Sequence, residues 1–431
     1  MYVQNAWGRV AAVRTGYEDL SGRPGVKMDY LEEWYTYTGG GLVGGKKVRF
    51  SHERVGGLGR SVKESALAFT YNDEGQVTDD NGTAVTYDSM GRPYSGPGVT
   101  AVTYGAADEI TLLGSWTLGQ RVEQRVYNAL GQLVIQKGVI SPFVTEAYEW
   151  VYTYADGANN GRITKFRDQK TGEEVNYTYD AVNRLVKAET TGAEWGETFG
   201  YDGFGNLLSE SPTKGTAPYY NLVVDGGTNR ILTAGFAYDA AGNLTSNPLQ
   251  AGMVYYAENR MKQVGTDYGT QYRYGADGQK VMKGPLSTLN PGYPDQFLLG
   301  LNKDAWVYVR DGAGRVRQVV RYRDKGSAGE DWVVEKEYDW FMGTGVLRGV
   351  SRYYDTWQAR DRVGSVRAEI GGMYPGVVTA TRSYFPYGQE RGTGSGNGTW
   401  KFGTYWREGV LDDASQRWYA SGWGRFTSAD P

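Results

Sequence analysis

Three stretches of the chain repeat one seven-residue phrase: residues 179–185 read YDAVNRL, residues 201–207 read YDGFGNL and residues 238–244 read YDAAGNL. The Asp side chain can accept hydrogen bonds from backbone amides just ahead of it, which favours a turn. Three residues after the Asp, Gly or Asn tolerates the left-handed backbone conformation. Each phrase therefore predicts a strand that ends at the Tyr, a short turn, and a returning strand that begins at the aliphatic residue.

Weaker copies of the phrase extend over most of the chain, and a short unit repeated at irregular spacing predicts a stack of β-hairpins. The copies lie at residues 71–77, 87–92, 127–133, 256–261 and 274–281, with traces at 5–10, 161–163 and 311–316. The residues that we expect to shape the strongest turns are Tyr179, Asp180, Tyr201, Asp202, Gly205, Tyr238, Asp239 and Gly242.

Composition agrees with an all-β chain of many turns. The 431 residues include 63 Gly and 35 Tyr, and no long stretch shows helical apolar periodicity. We expect short helical pieces only near residues 411–416. The net charge of −3 is spread along the chain without a basic stripe, so nucleic acid is not an expected partner. No apolar run is long enough for a membrane span, and no signal peptide is visible.

The organisation along the chain predicts three parts. Residues 1–70 read as irregular N-terminal hairpins, residues 71–355 as the repeat strip, and residues 356–431 as an aromatic C-terminal segment. Residues 284–300 contain three prolines and read as a surface loop. Residues 391–398 read as a flexible linker by composition.

Few residues offer metal or nucleophilic chemistry, and no cofactor or metal is expected. Cys is absent, which excludes disulfides, and His52 is the single histidine, which argues against a catalytic triad or a multi-histidine metal site. We expect His52 to be exposed at a strand end. The Asp of each phrase has the spacing of a turn rather than of a calcium loop. Trp406, Trp418 and Trp423 could form a sugar-stacking platform, but a core position is the favoured reading.

Three C-terminal landmarks, together with the repeated phrase, resemble the YD-repeat or RHS (rearrangement hotspot) family. They are residues 361–367 (DRVGSVR), 384–388 (YFPYG) and 424–431 (GRFTSADP), in the order that the family has them. The residues that match the family's core motif are Asp361, Gly364, Arg367, Pro386, Gly388, Gly424, Arg425, Phe426, Asp430 and Pro431.

The resemblance implies an all-β strip of YD-repeat hairpins that spirals into a shell-like or tubular sheet, with the C-terminal core segment as a cap or plug. In relatives, a variable effector, often a toxin, follows the closing Asp-Pro and is held inside the shell. Many relatives free it by aspartic self-cleavage. Relatives' shells are longer than this chain, so we expect either a longer parent protein or self-association through strand edges.

The self-cleaving pair that the resemblance implies is incomplete in this sequence. The family places its first Asp where Ala420 stands here, while Asp430 matches the second and is the catalytic candidate. A lone carboxylate cannot share a proton as an aspartic dyad does. Asp412 and Asp413 lie nearby in sequence and could replace the missing Asp. We therefore expect a chain that is not an enzyme.

The leading functional hypothesis is a structural shell segment that encapsulates or presents a C-terminal effector in toxin delivery. One alternative is a cell-surface or filament-forming adhesion protein, with carbohydrate as a partner. A second is an aspartic autoprotease that releases a downstream effector. The expected partners are upstream or downstream RHS segments or the effector, and the expected location is secreted or on the bacterial cell surface.

Overall fold

The computed structural model describes residues 2–16, 30–53, 59–115, 121–140, 145–157, 159–265, 269–275, 277–285, 303–348, 355–371, 377–392 and 399–429. Nearly all of the regular structure in these ranges is antiparallel β-strand, which confirms the predicted fold class. In the same ranges, no helix is both long and apolar enough to cross a membrane.

The first sheet has seven strands, and each strand pairs with the next along the chain. They are β1 (Tyr2–Gln4), β2 (Val10–Gly16), β3 (Tyr30–Tyr37), β4 (Val43–Glu53), β5 (Arg60–Tyr71), β6 (Val77–Asp80) and β7 (Thr83–Ala84). A two-stranded hairpin follows, formed by β8 (Thr86–Tyr87) and β9 (Pro93–Ser95).

The second sheet has eleven strands in the same sequential order. They are β10 (Ala101–Tyr104), β11 (Ile110–Ser115), β12 (Arg121–Tyr127), β13 (Leu133–Ile140), β14 (Thr145–Tyr154), β15 (Ile163–Asp168), β16 (Glu174–Tyr179), β17 (Leu185–Thr190), β18 (Trp195–Tyr201), β19 (Leu207–Gly215) and β20 (Tyr220–Asn221). A second hairpin follows, formed by β21 (Ala237–Tyr238) and β22 (Leu244–Ser246).

The third sheet also has eleven sequential strands. They are β23 (Val254–Tyr255), β24 (Met261–Val264), β25 (Thr270–Tyr274), β26 (Lys280–Pro285), β27 (Asp304–Arg310), β28 (Val316–Asp324), β29 (Glu330–Phe341), β30 (Thr344–Leu347), β31 (Thr356–Arg360), β32 (Val366–Gly371) and β33 (Val377–Thr381).

The C-terminal segment forms a hairpin and a small sheet of five strands. The hairpin is β34 (Ser383–Tyr384) with β35 (Glu390–Arg391), and the sheet is β36 (Thr399–Trp400), β37 (Trp406–Glu408), β38 (Leu411–Asp413), β39 (Trp418–Ala420) and β40 (Arg425–Phe426). Three short 3-10 turns are described, at Gly326–Ala328, Phe402–Thr404 and Ser421–Trp423.

The third sheet packs against both earlier sheets, which gives the strip its spiralled, shell-like form. Leu31 and Phe50 of the first sheet share a buried apolar cluster with Val307 and Tyr322 of the third. Arg317 on β28 donates to Asp80 of β6 at 2.6 Å. Farther along, Gln136 on β13 donates to the carbonyl oxygen of residue 360 at 2.7 Å. Side-chain contacts therefore join the third sheet to the first sheet and to the second sheet.

Two local expectations are wrong. Residues 411–413 form strand β38, because its three side chains are all buried between neighbouring strands of the small sheet. His52 is only 3% exposed. Its ring packs edge-on against Tyr322 of the third sheet, with ring centres 5.2 Å apart, so a distant part of the chain covers it.

The three-part division of the chain stays a prediction. At the two predicted boundaries the sheets are continuous: β5 runs across residue 70, and β31, which begins at residue 356, pairs with β30. Most of the predicted loop at 284–300 and of the predicted linker at 391–398 lies outside the described residues.

Candidate functional site: the contact between the strip and the C-terminal segment

The repeated Asp residues organise their turns in one common way. Oδ1 of Asp180 accepts from the amide of Val182 at 3.1 Å and from that of Arg184 at 2.8 Å. Asp202 makes the same pair of bonds, and Oδ1 of Asp239 accepts from the amide of Asn243. The residue three positions on is left-handed, with φ of 75° at Asn183, 90° at Gly205 and 89° at Gly242.

The Tyr of each phrase bonds to the hairpin before its own. The hydroxyl of Tyr179 donates to the carbonyl oxygen of Ile163 at 2.9 Å, and that of Tyr201 donates to the carbonyl oxygen of Leu185 at 2.6 Å. The accepting residue in each case begins the returning strand of the preceding hairpin. Tyr238 departs from this pattern, because its hydroxyl accepts from the amide of Ile231. The Tyr hydroxyls thus tie consecutive hairpins together, a role that the sequence analysis missed.

Further turns use the same device with different residues. In the first sheet, Thr38 replaces Asp and its Oγ1 accepts from the amide of Leu42 at 3.2 Å, while the hydroxyl of Tyr37 reaches the carbonyl oxygen of Val10. In the third sheet, Arg310 replaces Tyr, and its Nε donates to the carbonyl oxygen of Lys280 at 2.9 Å. A search for the phrase that allowed Thr at the Asp position would have found the first of these.

The first C-terminal landmark contains another turn of this kind. Oδ1 of Asp361 accepts from the amides of Val363 at 3.1 Å and Ser365 at 3.0 Å, and burial raises the pKa of the Asp361 carboxyl. Gly364 has φ of 87°, and a Cβ there would lie 2.4 Å from Thr404. Glycine is thus required both for the conformation and for the close approach of the small sheet.

The end of the first landmark and the second landmark place side chains against the second sheet. Arg367 lies over the ring of Phe166 at 5.1 Å. Pro386 lines the same interface, and Gly388, with φ of 95°, lies where a Cβ would clash with Phe402. The hydroxyl of Tyr387 contacts that of Tyr201.

The closing landmark continues this contact. Arg425 donates to the carbonyl oxygen of Leu207 at 3.1 Å, and Phe426 lies 3.7 Å beneath the guanidinium of Arg417. Gly424 is left-handed, with φ of 59°. Asp430 and Pro431 lie outside the described residues.

A buried ion cluster joins the third sheet to the small sheet. Lys280, whose side chain is 0% exposed, lies 3.2 Å from Glu408 and 3.1 Å from Asp413. Lys283 contacts Glu408 at 2.7 Å, and the hydroxyl of Tyr308 donates to the Glu408 carboxylate at 2.9 Å. Burial alone would raise the pKa of Glu408, but the charges of the two lysines hold it at about 2. The cluster fixes the C-terminal sheet on the strip.

The residues around Ala420, where the RHS family places its first catalytic Asp, all make structural contacts. Ala420 is 3% exposed, opposite Arg425 on the next strand. Asp412 is fully buried and bound by Arg407, which opposes the rise in its pKa that burial causes. Asp413 belongs to the ion cluster. Among the described residues, no three His, Asp or Glu side chains converge as a metal site. Trp406 and Trp418 are each 2% exposed, as core residues are.

Two neighbouring strands of the second sheet, β18 and β19, each carry a buried carboxyl that forms no ion pair with any described residue. Glu197 on β18 is 0% exposed, and neither of its carboxyl oxygens has a hydrogen-bond partner. Burial, and then the charge of Glu210, raises its pKa to about 8, against the opposing charge of Arg391. Burial raises the pKa of Glu210 to about 7. Both carboxyls therefore release their protons at a higher pH than an exposed Glu does.

The fold and these contacts define a spiralled β-hairpin strip capped by its C-terminal segment. No family model matches the sequence, and no curated protein matches it. Solved structures do match. The crystal structure of TcdB2-TccC3 aligns with the whole chain at a TM-score of 0.71 and 14% identity. A Photorhabdus luminescens Tc holotoxin pore aligns with the whole chain at a TM-score of 0.70 and 14% identity.

These alignments show the fold. The chain covers 27% of the first of these structures and 26% of the second. They support an RHS-like fold for this chain, while membership of the RHS family stays a prediction. A crystal structure of TcdB2-TccC3 without its hypervariable C-terminal region aligns equally over the whole chain, at a TM-score of 0.69 and 14% identity, and the chain covers 26% of it.

Proposed function

We propose that the chain is a non-enzymatic shell segment that encloses a C-terminal effector in a toxin-delivery assembly. The observation that carries the proposal is the seating of the C-terminal segment on the strip. That segment contacts the second sheet through Tyr387 and Arg425 and the third sheet through Glu408. Thr427 and Ser428, which follow this contact along the chain, are buried as well.

The solved structures support the same proposal. They are Tc toxin assemblies, and one of them lacks a hypervariable C-terminal region yet still aligns with this chain along its whole length. By analogy, the partners of this chain are further RHS segments and an effector that follows Pro431. Secretion, or display on the bacterial surface, follows from the same analogy and is part of the proposal.

Protease protection tests enclosure. An unfolded, protease-sensitive reporter is fused after Pro431, and a matched protein carries the same reporter ahead of Met1. We expect the C-terminal reporter to be digested much more slowly while the chain is folded, and at the same rate as the N-terminal one after denaturation. Equal digestion rates in the folded state would contradict enclosure.

Self-cleavage is tested in the same extended protein. Ala420 lacks a carboxylate, and Asp412 and Asp413 are both held by cations, which favours an inert chain. We expect the extended protein to remain uncut, and Asp430→Asn to behave identically. Cleavage that disappears in the Asp430→Asn variant would instead establish an autoprotease.

One observation favours filament formation as a second candidate function. Strand β33 ends the third sheet, pairs only with β32 among the described strands, and exposes Val377 (55%) and Val378 (38%). An exposed apolar edge strand can pair with another chain. Assemblies that dissociate when Val377 is replaced by Lys would support this candidate, and a strictly monomeric chain at high concentration would dismiss it.

A further inference from the structure

A cavity of about 770 Å³ lies where several hairpin turns of the strip meet the small C-terminal sheet. Its walls come from the turns at residues 313–315 and 360–364, from strands β12 and β13, and from Trp340 and Trp400. We call it the Arg360 cavity. A cavity of this size accommodates a small organic molecule.

Arg360 is a buried cation without a matching anion. It is 8% exposed and forms no ion pair with any residue that the structure describes, although its guanidinium donates to Gly364 and Gln358. It lies 5.0 Å from the ring of Trp340 and 5.7 Å from that of Trp400. Ring faces compensate a buried charge only in part. Burial lowers the pKa of Arg360 to about 10, so the group stays charged at neutral pH.

Arg310 provides an internal comparison. It occupies the same position before an Asp turn and makes the same bond to the turn, since Nη1 donates to the carbonyl oxygen of Gly314 as Arg360 does to that of Gly364. However, Arg310 lies 3.7 Å from Asp413, and its Nε donates to the backbone carbonyl oxygen of Lys280. Nε of Arg360 is buried without a hydrogen-bond partner. The carboxylate and the acceptor that Arg310 has are both missing at Arg360.

The remaining charges around the cavity are mostly positive. Arg362 is exposed and pairs with no carboxylate of the described chain, while Arg315 and Arg125 are paired with Asp311 and Glu123. Among the described residues that line the cavity, Asp361 is the one carboxylate, and its Oδ1 accepts from two amides of its own turn. Trp400 Nε1 is a further buried donor without a partner. An entering anion would therefore meet excess positive charge.

We propose that the Arg360 cavity binds a small oxyanion-bearing molecule, whose carboxylate, phosphate or sulfate group pairs with Arg360 and Arg362. Guanidinium groups bind such planar or tetrahedral oxyanions with charge-assisted hydrogen bonds. The aromatic walls leave room for an attached ring. The site does not depend on enclosure of an effector.

Calorimetric titration of the full chain tests the site with inorganic phosphate, sulfate, glucuronate and, as a neutral ring, glucose. We expect one-to-one binding of at least one anion and none of glucose. Binding of glucuronate alone would identify a carboxylate-bearing ring, whereas binding of phosphate or sulfate would identify a tetrahedral oxyanion. Absence of binding by all three anions up to about 10 mM, a range that covers even weak ligands, would overturn the proposal.

Variants locate the binding. Arg362→Ala removes an exposed side chain and is expected to weaken the affinity about tenfold, the effect of one charge-assisted contact. Arg360→Gln is expected to abolish binding. Arg230→Ala, at a turn arginine outside the cavity that lies 5.7 Å from Tyr238, is the matched control and should bind as the unchanged chain does. Equal affinity in all three variants would place the anion elsewhere and overturn the proposal.

Discussion

The hydroxyl of Tyr201 donates a hydrogen bond of 2.6 Å to the carbonyl oxygen of Leu185 and also contacts the hydroxyl of Tyr387. Leu185 begins the returning strand of the preceding hairpin, while Tyr387 belongs to the C-terminal segment. One side chain therefore couples two neighbouring hairpins to the element that caps them.

Removing this hydroxyl should destabilise the chain. Tyr201→Phe keeps the ring and loses both contacts, so we expect the free energy of unfolding to fall by about 1 kcal/mol, the usual net value of a hydrogen bond. Urea unfolding measures the change. Tyr219→Phe, at a residue that is 72% exposed, is the matched control and should have almost no effect. Equal effects of the two variants would show that the Tyr201 contacts contribute no stability.

Gly203 and Gly205 lie in one turn and allow the effect of backbone conformation on stability to be measured without an effect of packing. Gly205 has φ of 90°, Gly203 is not left-handed, and a Cβ at either would meet no atom within 4 Å. We expect Gly205→Ala to lower the free energy of unfolding by about 1–2 kcal/mol, because a Cβ disfavours the left-handed conformation. Gly203→Ala should be neutral or slightly stabilising. A larger loss at Gly203, measured by thermal unfolding, would contradict the turn geometry.

The buried ion cluster predicts a strong effect of Lys280→Met. The change leaves Glu408 and Asp413 buried without their central cation, so we expect a loss of about 3–5 kcal/mol in the free energy of unfolding. Lys187→Met removes a partly exposed pair with Glu189 and should cost less than about 1 kcal/mol. Similar unfolding midpoints for the two variants would contradict the bridging role of Lys280.

Because the pKa values of Glu197 and Glu210 are raised in the folded chain, we expect the free energy of unfolding to fall as the pH rises. The pKa of Glu197 is about 8 in the folded chain and 4.5 as the reference value, so the unfolded chain releases this proton first. The contribution of Glu197 to the free energy of unfolding is fully present below pH 4.5 and is lost as the pH rises through about 8. For Glu197 the fall in the free energy of unfolding over this range is about 5 kcal/mol.

Unfolding measured between pH 5 and pH 9 in the Glu197→Gln variant checks this. We expect the variant to lose the part of the pH dependence that Glu197 causes, to keep the part that Glu210 causes, and to exceed the unchanged chain in stability at pH 8. Glu146→Gln, at a side chain that is 38% exposed, is the control and should retain the dependence. A Glu197→Gln variant with an unaltered pH profile would show that Glu197 does not hold the proton.

Local chemistry made the hairpins predictable, whereas contacts between distant residues did not follow from the sequence. Asp180 and Asn183 act within one turn, so a seven-residue window contains the information. Tyr201 acts on Leu185, 16 residues earlier, but Tyr37 acts on Val10, 27 residues earlier, so no fixed spacing reveals the partner.

Contacts between residues that are distant in sequence also explain the predictions that were wrong or missing. His52 was expected to be exposed because its neighbours in sequence are charged, yet Tyr322 of the third sheet covers it. At the candidate site, the sequence indicated the missing carboxylate at Ala420. It did not indicate that Asp412 and Asp413 are bound by Arg407 and Lys280, or that Arg360 lacks an anion, because these depend on the packing of the small sheet on the strip.

Electron microscopy of the purified chain, with its mass in solution, tests the central claim that the strip forms a shell-like body capped by its C-terminal segment. We expect compact particles of one chain with an internal low-density region and the C-terminal segment seated against the wall. Extended or open strips with the C-terminal segment detached would contradict it.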